Sequence, residues 1–229
     1  MALAGDGVLA IWNGIEAAAE ADFLAWHIRE HIPERVAVAG FNRGRRYIAE
    51  RGRPKYFNFY EVDSTQTLVS PDYVARLNAP SAWTKRVVRH FLDTSRTICH
   101  VVSSRGVGDG GYVGTLKFDL RGPRAEFLHR VEPVLSALHD APSVVAVHLL
   151  EGQGGGSNGQ TAEKDLRKQP DATVDWLLII EAVDRAALEA AVAEHLPPDV
   201  AARLGAGFEP DADYGIYRLQ YGLSKAQLA

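Results

Sequence analysis

Cysteine is nearly absent: Cys99 is the single one among 229 residues. One thiol cannot form an internal disulfide, and such usage is what a reducing compartment permits. Long apolar runs are missing as well. The longest, such as Trp176 to Ile180, are far too short to span a bilayer. The opening MALAGDGVLAIWNG has no basic region followed by an apolar core and a cleavage site, so the cytoplasm is the expected location. Neither sign of charge dominates. With 25 basic and 29 acidic residues the formal charge is -4, which gives no general pull toward nucleic acid or membrane. A phosphate-binding loop is lacking too: GVGDGG, from Gly106 to Gly111, has neither GxGxxG spacing nor a GK[ST] ending, and reads as a flexible linker.

What remains is ordinary globular composition, 46% hydrophobic and 24% charged. The length suits one wide domain or two of roughly 100 residues. Val8 to Trp12 reads as a strand. A helix follows from about Ala17 to Ile32, with Phe23, Leu24, Ile28 and Ile32 at helical spacing and Pro33 limiting it. Phe41 to Ile48 and Lys55 to Val62 read as a strand pair, Ser64 to Leu77 and Trp83 to Phe91 as helical, and Thr94 to Ser103 as a fourth strand. This is β-α-β-β-α-β, the ferredoxin-like order. The second half repeats it: strand Tyr112 to Leu120, helix Arg124 to Leu138, strands Val144 to Leu150 and Thr173 to Ala182, helix Arg185 to Leu196, strand Tyr214 to Tyr221. The expected fold is therefore α+β, two fused ferredoxin-like halves, 1–106 and 107–229, whose antiparallel sheets form an α+β barrel. Each sheet would turn one face to helices and the other to a common interior. Residues 152–173, with GGGSNG and a polar stretch, read as a flexible loop: a lid over a cavity, or a tolerated surface insertion.

Chemical content concentrates between His27 and Tyr60, in WHIREHIPER, GFNRGRRYIA and KYFNFYE. His27 and His31 share a helix face with Glu30 and Glu34 in the spacing HxxEH, but the signal is weak without a distant third ligand, and no metal is expected. His31 lies in what reads as the last helical turn, where the dipole favours an imidazolium and the ring can serve as acid or base on a ligand. Alternation places Phe41, Arg43 and Arg45 on one strand face. Two arginines toward an enclosed space need anionic partners, either Glu61 or an acidic ligand. On the next strand Phe57 and Phe59 are expected under helices. Tyr56, Asn58 and Tyr60 would then look into the space between the sheets, joined by Asn13 and Tyr47. Hydroxyls and amides among aromatic walls suit a small-molecule pocket; the same residues can also fill a closed core.

The motifs WHxxEHIPER, GFxRGRRY and YFxxYE, clearest over residues 8 to 103, resemble the dimeric α+β barrel superfamily, and within it EthD-like and related bacterial proteins. That resemblance implies a barrel of two ferredoxin-like sheets, closed by dimerisation or within a duplicated chain. It also implies a cavity near the histidine before proline, here His31. Relatives range from cofactor-free monooxygenases, isomerases and polyketide cyclases to haem enzymes. No haem motif is present and no cofactor is expected. The resulting expectation is an enzyme on a small acidic or enolisable molecule. His31 would move a proton in isomerisation, cyclisation, decarboxylation or cofactor-free oxygenation, Arg43 or Arg45 would hold an oxyanion, and Tyr60 or Asn58 would orient it. His27, Asn13, Tyr47 and Tyr56 complete the expected ligand contacts. The alternatives are a non-catalytic small-ligand binder and a structural homo-oligomer with a filled barrel. A homodimer fits any of them.

Overall fold

The structure is a computed structural model that describes residues 3–153, 161–167, 170–207 and 213–228. The first half runs β1 (Gly7–Ile15), α1 (Glu20–Trp26), a π-helical turn (His27–His31), α2 (Ile32–Ala37), β2 (Phe41–Arg51), β3 (Tyr56–Val62), α3 (Pro71–Asn78), α4 (Ala82–Val88) and β4 (Phe91–Gly106). The second runs β5 (Tyr112–Leu120), α5 (Arg124–Asp140), β6 (Val144–Gly152), α6 (Ala162–Asp165), β7 (Trp176–Ala182), α7 (Arg185–His195), α8 (Pro198–Leu204), β8 (Ala206–Gly207) and β9 (Tyr214–Ser224).

Strand order is β7-β6-β4-β1-β3-β2-β9-β5, and β7 pairs again with β5, so eight antiparallel strands close a barrel. The two-residue β8 adds to the edge of β5. Each half contributes four strands, β4-β1-β3-β2 and β6-β7-β5-β9, and the halves meet where β4 pairs with β6 and β2 with β9. Closure within one chain leaves no open edge between the halves. Among the described residues, no helix is long and apolar enough to cross a membrane.

Alternation along the strands separates two kinds of core. Val8, Ala10 and Trp12 of β1 point inward with Tyr47, Phe57, Phe59, Leu150, Leu177, Ile179 and Tyr217. Trp12 stacks on Phe57 with centroids 4.7 Å apart. The space between the sheets is thus filled by large side chains. The outward residues pack under helices: Leu9, Tyr60 and Ile98 against α2 and α3 in the first half, and Leu116, Leu149 and Leu178 against α5 and α7 in the second. This reverses the facing expected for β3. Phe57 and Phe59 line the barrel interior, and Tyr56, Asn58 and Tyr60 face the helices. Hydrophobicity could not decide between the two, because all seven residues of β3 are buried.

Candidate active site

The helix after β1 does not stop before Pro33. Proline lacks an N–H and its ring crowds the carbonyl four residues back. The chain meets that demand by widening to a π turn over His27–His31, where the Ile32 N–H reaches the His27 carbonyl, and α2 then continues to Ala37 with Pro33 in its first turn. π turns inside helices frequently mark functional sites. Here the wider turn stacks the two imidazoles, with centroids 5.2 Å apart and planes 18° apart. The Trp26 ring lies 4.2 Å from His31 and the Phe23 ring 5.1 Å from His27.

His31 is therefore mid-helix rather than at a helix end. Burial, with Arg35, His27 and Arg167 adding to it, holds its pKa well below the ordinary value. Burial, then Arg46 and Arg35, does the same for His27. Both rings are neutral at pH 7, which replaces the expected dipole-stabilised imidazolium. Glu30 and Glu34 do not join them. Glu30 accepts from Trp26, Ser81 and Thr84, and Glu34 pairs with Arg76. Among the described residues no group of three or more His, Cys, Asp or Glu is arranged to hold a metal.

The two histidines line a cavity between the outer face of β1, β3 and β4 and the helices above. Its floor is Leu9, Ile11, Asn13, Asn58 and Tyr60, its sides include Arg35, Tyr73 and Thr94, and Thr161, Glu163, Lys164, Arg167 and Asp171 wall it from the second half. It encloses about 50 Å³, room for a few waters at roughly 10–15 Å³ each. Asn58 Nδ2 donates to Asn13 Oδ1 over 2.8 Å. Seven of its lining residues carry a buried polar atom with no protein hydrogen-bond partner: His27 Nδ1, His31 Nδ1, Arg35 Nη1, Asn58 Oδ1, the Tyr60 hydroxyl, Arg167 Nε and Asp171 Oδ1. Buried polar atoms are nearly always paired, so convergence of seven on one cavity marks a place for a polar ligand. Burial also pushes the Tyr60 hydroxyl pKa up, against the pull of Arg35, so Tyr60 can donate a proton in a hydrogen bond.

Of the residues expected from sequence, His27, His31, Asn13, Asn58 and Tyr60 come together here. Tyr56 shares their sheet face but packs with Phe23 and bonds Glu20. Tyr47 points into the barrel. Arg43 and Arg45 lie at one barrel end, where Arg43 pairs with Glu61 and Asp109, and Arg45 with Glu61 and Glu181. A register shift between Phe41 and Arg43 sets this facing. The cationic group beside His31 is instead Arg35, buried at 3% exposure. Its place one turn after His31 was a legible signal.

No family model and no curated protein sequence matches the chain. Solved structures do. An anthrone oxidase-like protein superposes with a TM-score of 0.68 at 12% identity, over 97% of this chain and 94% of its own. A protein provisionally named a monooxygenase, from Fusobacterium nucleatum, gives 0.63 at 8% identity over 97% and 96%. A heme-binding protein from Thermus thermophilus gives 0.56 at 16% identity over 98% and 93%. What these structures share with the chain is the fold, a closed antiparallel α+β barrel, here with both ferredoxin-like halves in one chain. These likenesses support that fold and not the narrower EthD-like reading.

Proposed function

We propose that this cavity is the active site of a cofactor-independent oxygenase acting on a small enolisable ring compound of the anthrone kind. The observation that carries the reading is the pair of stacked, buried, neutral imidazoles that line one cavity with Asn58 and Tyr60, each of the four residues carrying a buried polar atom without a partner. The names of the anthrone oxidase-like and monooxygenase structures, which share the fold, support the substrate class.

A neutral imidazole can take a proton from an acidic C–H, and the low dielectric strengthens attraction between the resulting imidazolium and enolate. Arg35 and Tyr60, which line the same cavity, would stabilise the enolate oxygen. The enolate reduces O₂, a C–O bond forms, and the hydroperoxide loses water as its O–O bond and the second C–H bond break. For an anthrone the sum is anthrone plus O₂ giving anthraquinone plus H₂O. A ring of this size exceeds about 50 Å³, so the wall bearing Glu163 has to move aside on binding.

Haem, which the Thermus protein's name raises, does not fit these residues. Asn13, Asn58, Arg35 and Arg96 line the cavity where the faces of a porphyrin need apolar walls.

The test is oxygen uptake with dithranol, an activated anthrone, after subtracting its spontaneous oxidation. Uptake should rise in proportion to protein, and His31→Asn should lower it about 100-fold or more while the fold is retained by circular dichroism. Proton exchange into the substrate without oxygen uptake would replace this reading with isomerisation, and no effect of the protein at all would overturn it.

A further inference from the structure

Arg35 is buried, and the carboxylate that meets it comes from Glu163 of α6, 128 positions along the chain. Glu163 is itself 7% exposed and forms part of the cavity wall. Arg35 Nη1 has no hydrogen-bond partner, its ion pair with Glu34 Oε2 being 3.5 Å long, and the Tyr60 hydroxyl and His31 Nδ1, also without hydrogen-bond partners, belong to residues that line the same cavity. The guanidinium also lies over the Tyr73 ring, 5.9 Å from its centroid. These groups make an anion site that already holds an anion belonging to the protein.

We propose that Arg35 is the anion-binding group of this pocket, and that the Glu163 carboxylate is a built-in occupant which the carboxylate or enolate oxygen of a small ring compound displaces. A buried guanidinium cannot be left without a counter-charge. Its planar fork accepts a ligand carboxylate or enolate in place of a glutamate with no further desolvation of the guanidinium, and the water lost by the entering anion is offset by that regained by Glu163. A ligand that stays neutral offers no such exchange, since displacing Glu163 would leave Arg35 only the Glu34 carboxylate, 3.5 Å from Nη1; an enolisable ring completes the exchange when its proton passes to His31. The element that has to yield is small. α6 has four residues, and its first turn is held by the Thr161 hydroxyl, which accepts from the Lys164 N–H at 3.3 Å, and by Asn78 Oδ1, which accepts from the Ala162 N–H at 3.1 Å. Release of Glu163 also withdraws part of the wall, so one exchange both admits the ligand and enlarges the cavity. Specificity for organic anions is thereby built into the resting contact.

This inference rests on the cavity being the ligand site, and its test needs no turnover. Salicylate, its neutral isostere salicylamide, and dimedone, an enolate at neutral pH, are titrated by calorimetry into the wild-type protein, Glu163→Gln and Arg35→Lys. One or both anions should bind wild type, and the stronger names the class. Glu163→Gln should bind that anion at least tenfold more tightly, Arg35→Lys at least tenfold more weakly, and salicylamide should bind none of them measurably. In the wild-type protein, which needs no substitution to fold, the saturating anion should speed tryptic cleavage after Lys164 and Arg167, and salicylamide should not. Equal or weaker anion binding by folded Glu163→Gln, unchanged cleavage, or no anion binding to any form would overturn the proposal. Anion binding with these shifts but no oxygen uptake from dithranol would retain the subsite and reject the oxygenase. Oxygen uptake with no effect of Glu163→Gln on binding would do the reverse.

Discussion

Arg45 of β2 grips Glu181 of β7 across the barrel, Nη1 to Oε2 at 2.8 Å and Nη2 to Oε1 at 3.0 Å, with the two side chains 2% and 1% exposed. The pair joins the first half to the second. Glu61 accepts from the same guanidinium at 3.0 Å, the Gly110 N–H donates to Glu181 at 3.0 Å, and His148 Nε2 stands 3.3 Å from it. Removing the cation strands the buried Glu181 carboxylate, while Glu61 keeps Arg43. Arg45→Met should therefore cost about 3–5 kcal/mol in urea unfolding, whereas loss of an exposed pair such as Arg203–Asp199 should cost less than about 1 kcal/mol.

The same cluster sets acid stability. Burial alone would raise the Glu181 carboxyl, but Arg45 and His148 outweigh it and hold the pKa well below its usual 4.5. A depressed carboxyl contributes stability that is complete above its unfolded value and is lost as pH falls through the folded one. Wild-type stability should thus decline as pH drops below 4.5, and Glu181→Gln should flatten that slope. Urea midpoints measured stepwise from pH 6 downward check it, and an unchanged slope would refute it.

The histidines act in a higher window. Their folded pKa values lie well below 6.5, so below pH 6.5 the unfolded chain binds protons that the folded protein does not. Stability from these two sites is full above that pH and falls as pH drops toward the folded values. His31→Asn should reduce proton uptake on unfolding near pH 5.5 by about one proton at most, read from the change of stability with pH. In the folded protein the ring signals of His27 and His31 should stay at neutral-form positions from pH 8 to 6.5 by NMR.

Much of the fold was legible because two local periods carry it. The β-α-β-β-α-β order, given twice, followed from apolar runs and helical spacing. The shared face of Asn58 and Tyr60 followed from strand alternation. Which face turned inward did not, since a closed barrel buries both faces of β3. The π turn was hidden because His27 and His31 share a face at helical or at π spacing, and because Pro33 reads as a terminator. Arg35 stood in WHIREHIPER, four residues beyond His31, but what it holds lies 128 positions away. No local pattern announces such a contact. Arg43 and Arg45 were expected to have either Glu61 or an acidic ligand as partner, and the structure gives them Glu61 together with Asp109 and Glu181.

Tyr60→Phe should separate stability from activity. Its hydroxyl is buried and without a protein partner, and removing such a group is close to neutral or stabilising, by up to about 1 kcal/mol. The melting temperature should hold or rise while oxygen uptake falls. A marked loss of stability would mean that the hydroxyl is structurally engaged.

Gly44 tests the seat of the helix that carries the site. It lies on the outer face of β2, where an added Cβ would stand 2.9 Å from Tyr60 Cε1 and 3.0 Å from Ile32 Cγ2. Both neighbours belong to the pocket's frame: Tyr60 is part of its floor, and Ile32 follows His31 directly in the helix. The middle glycine of ArgGlyArg thus lets that helix rest on the sheet with the Tyr60 ring between them. Gly44→Ala must push the ring or the helix by several tenths of an ångström. The expected cost is about 1–3 kcal/mol of stability. A misplacement of the reacting groups by even 1 Å can cost on the order of 100-fold in rate, so oxygen uptake should fall in the fraction that stays folded. Gly222→Ala is the control: the added carbon there meets only the flexible Arg45 Cγ at 3.6 Å, and should leave both stability and uptake near wild type. Equal behaviour of the two variants would show that close contact at Gly44 does not position the site.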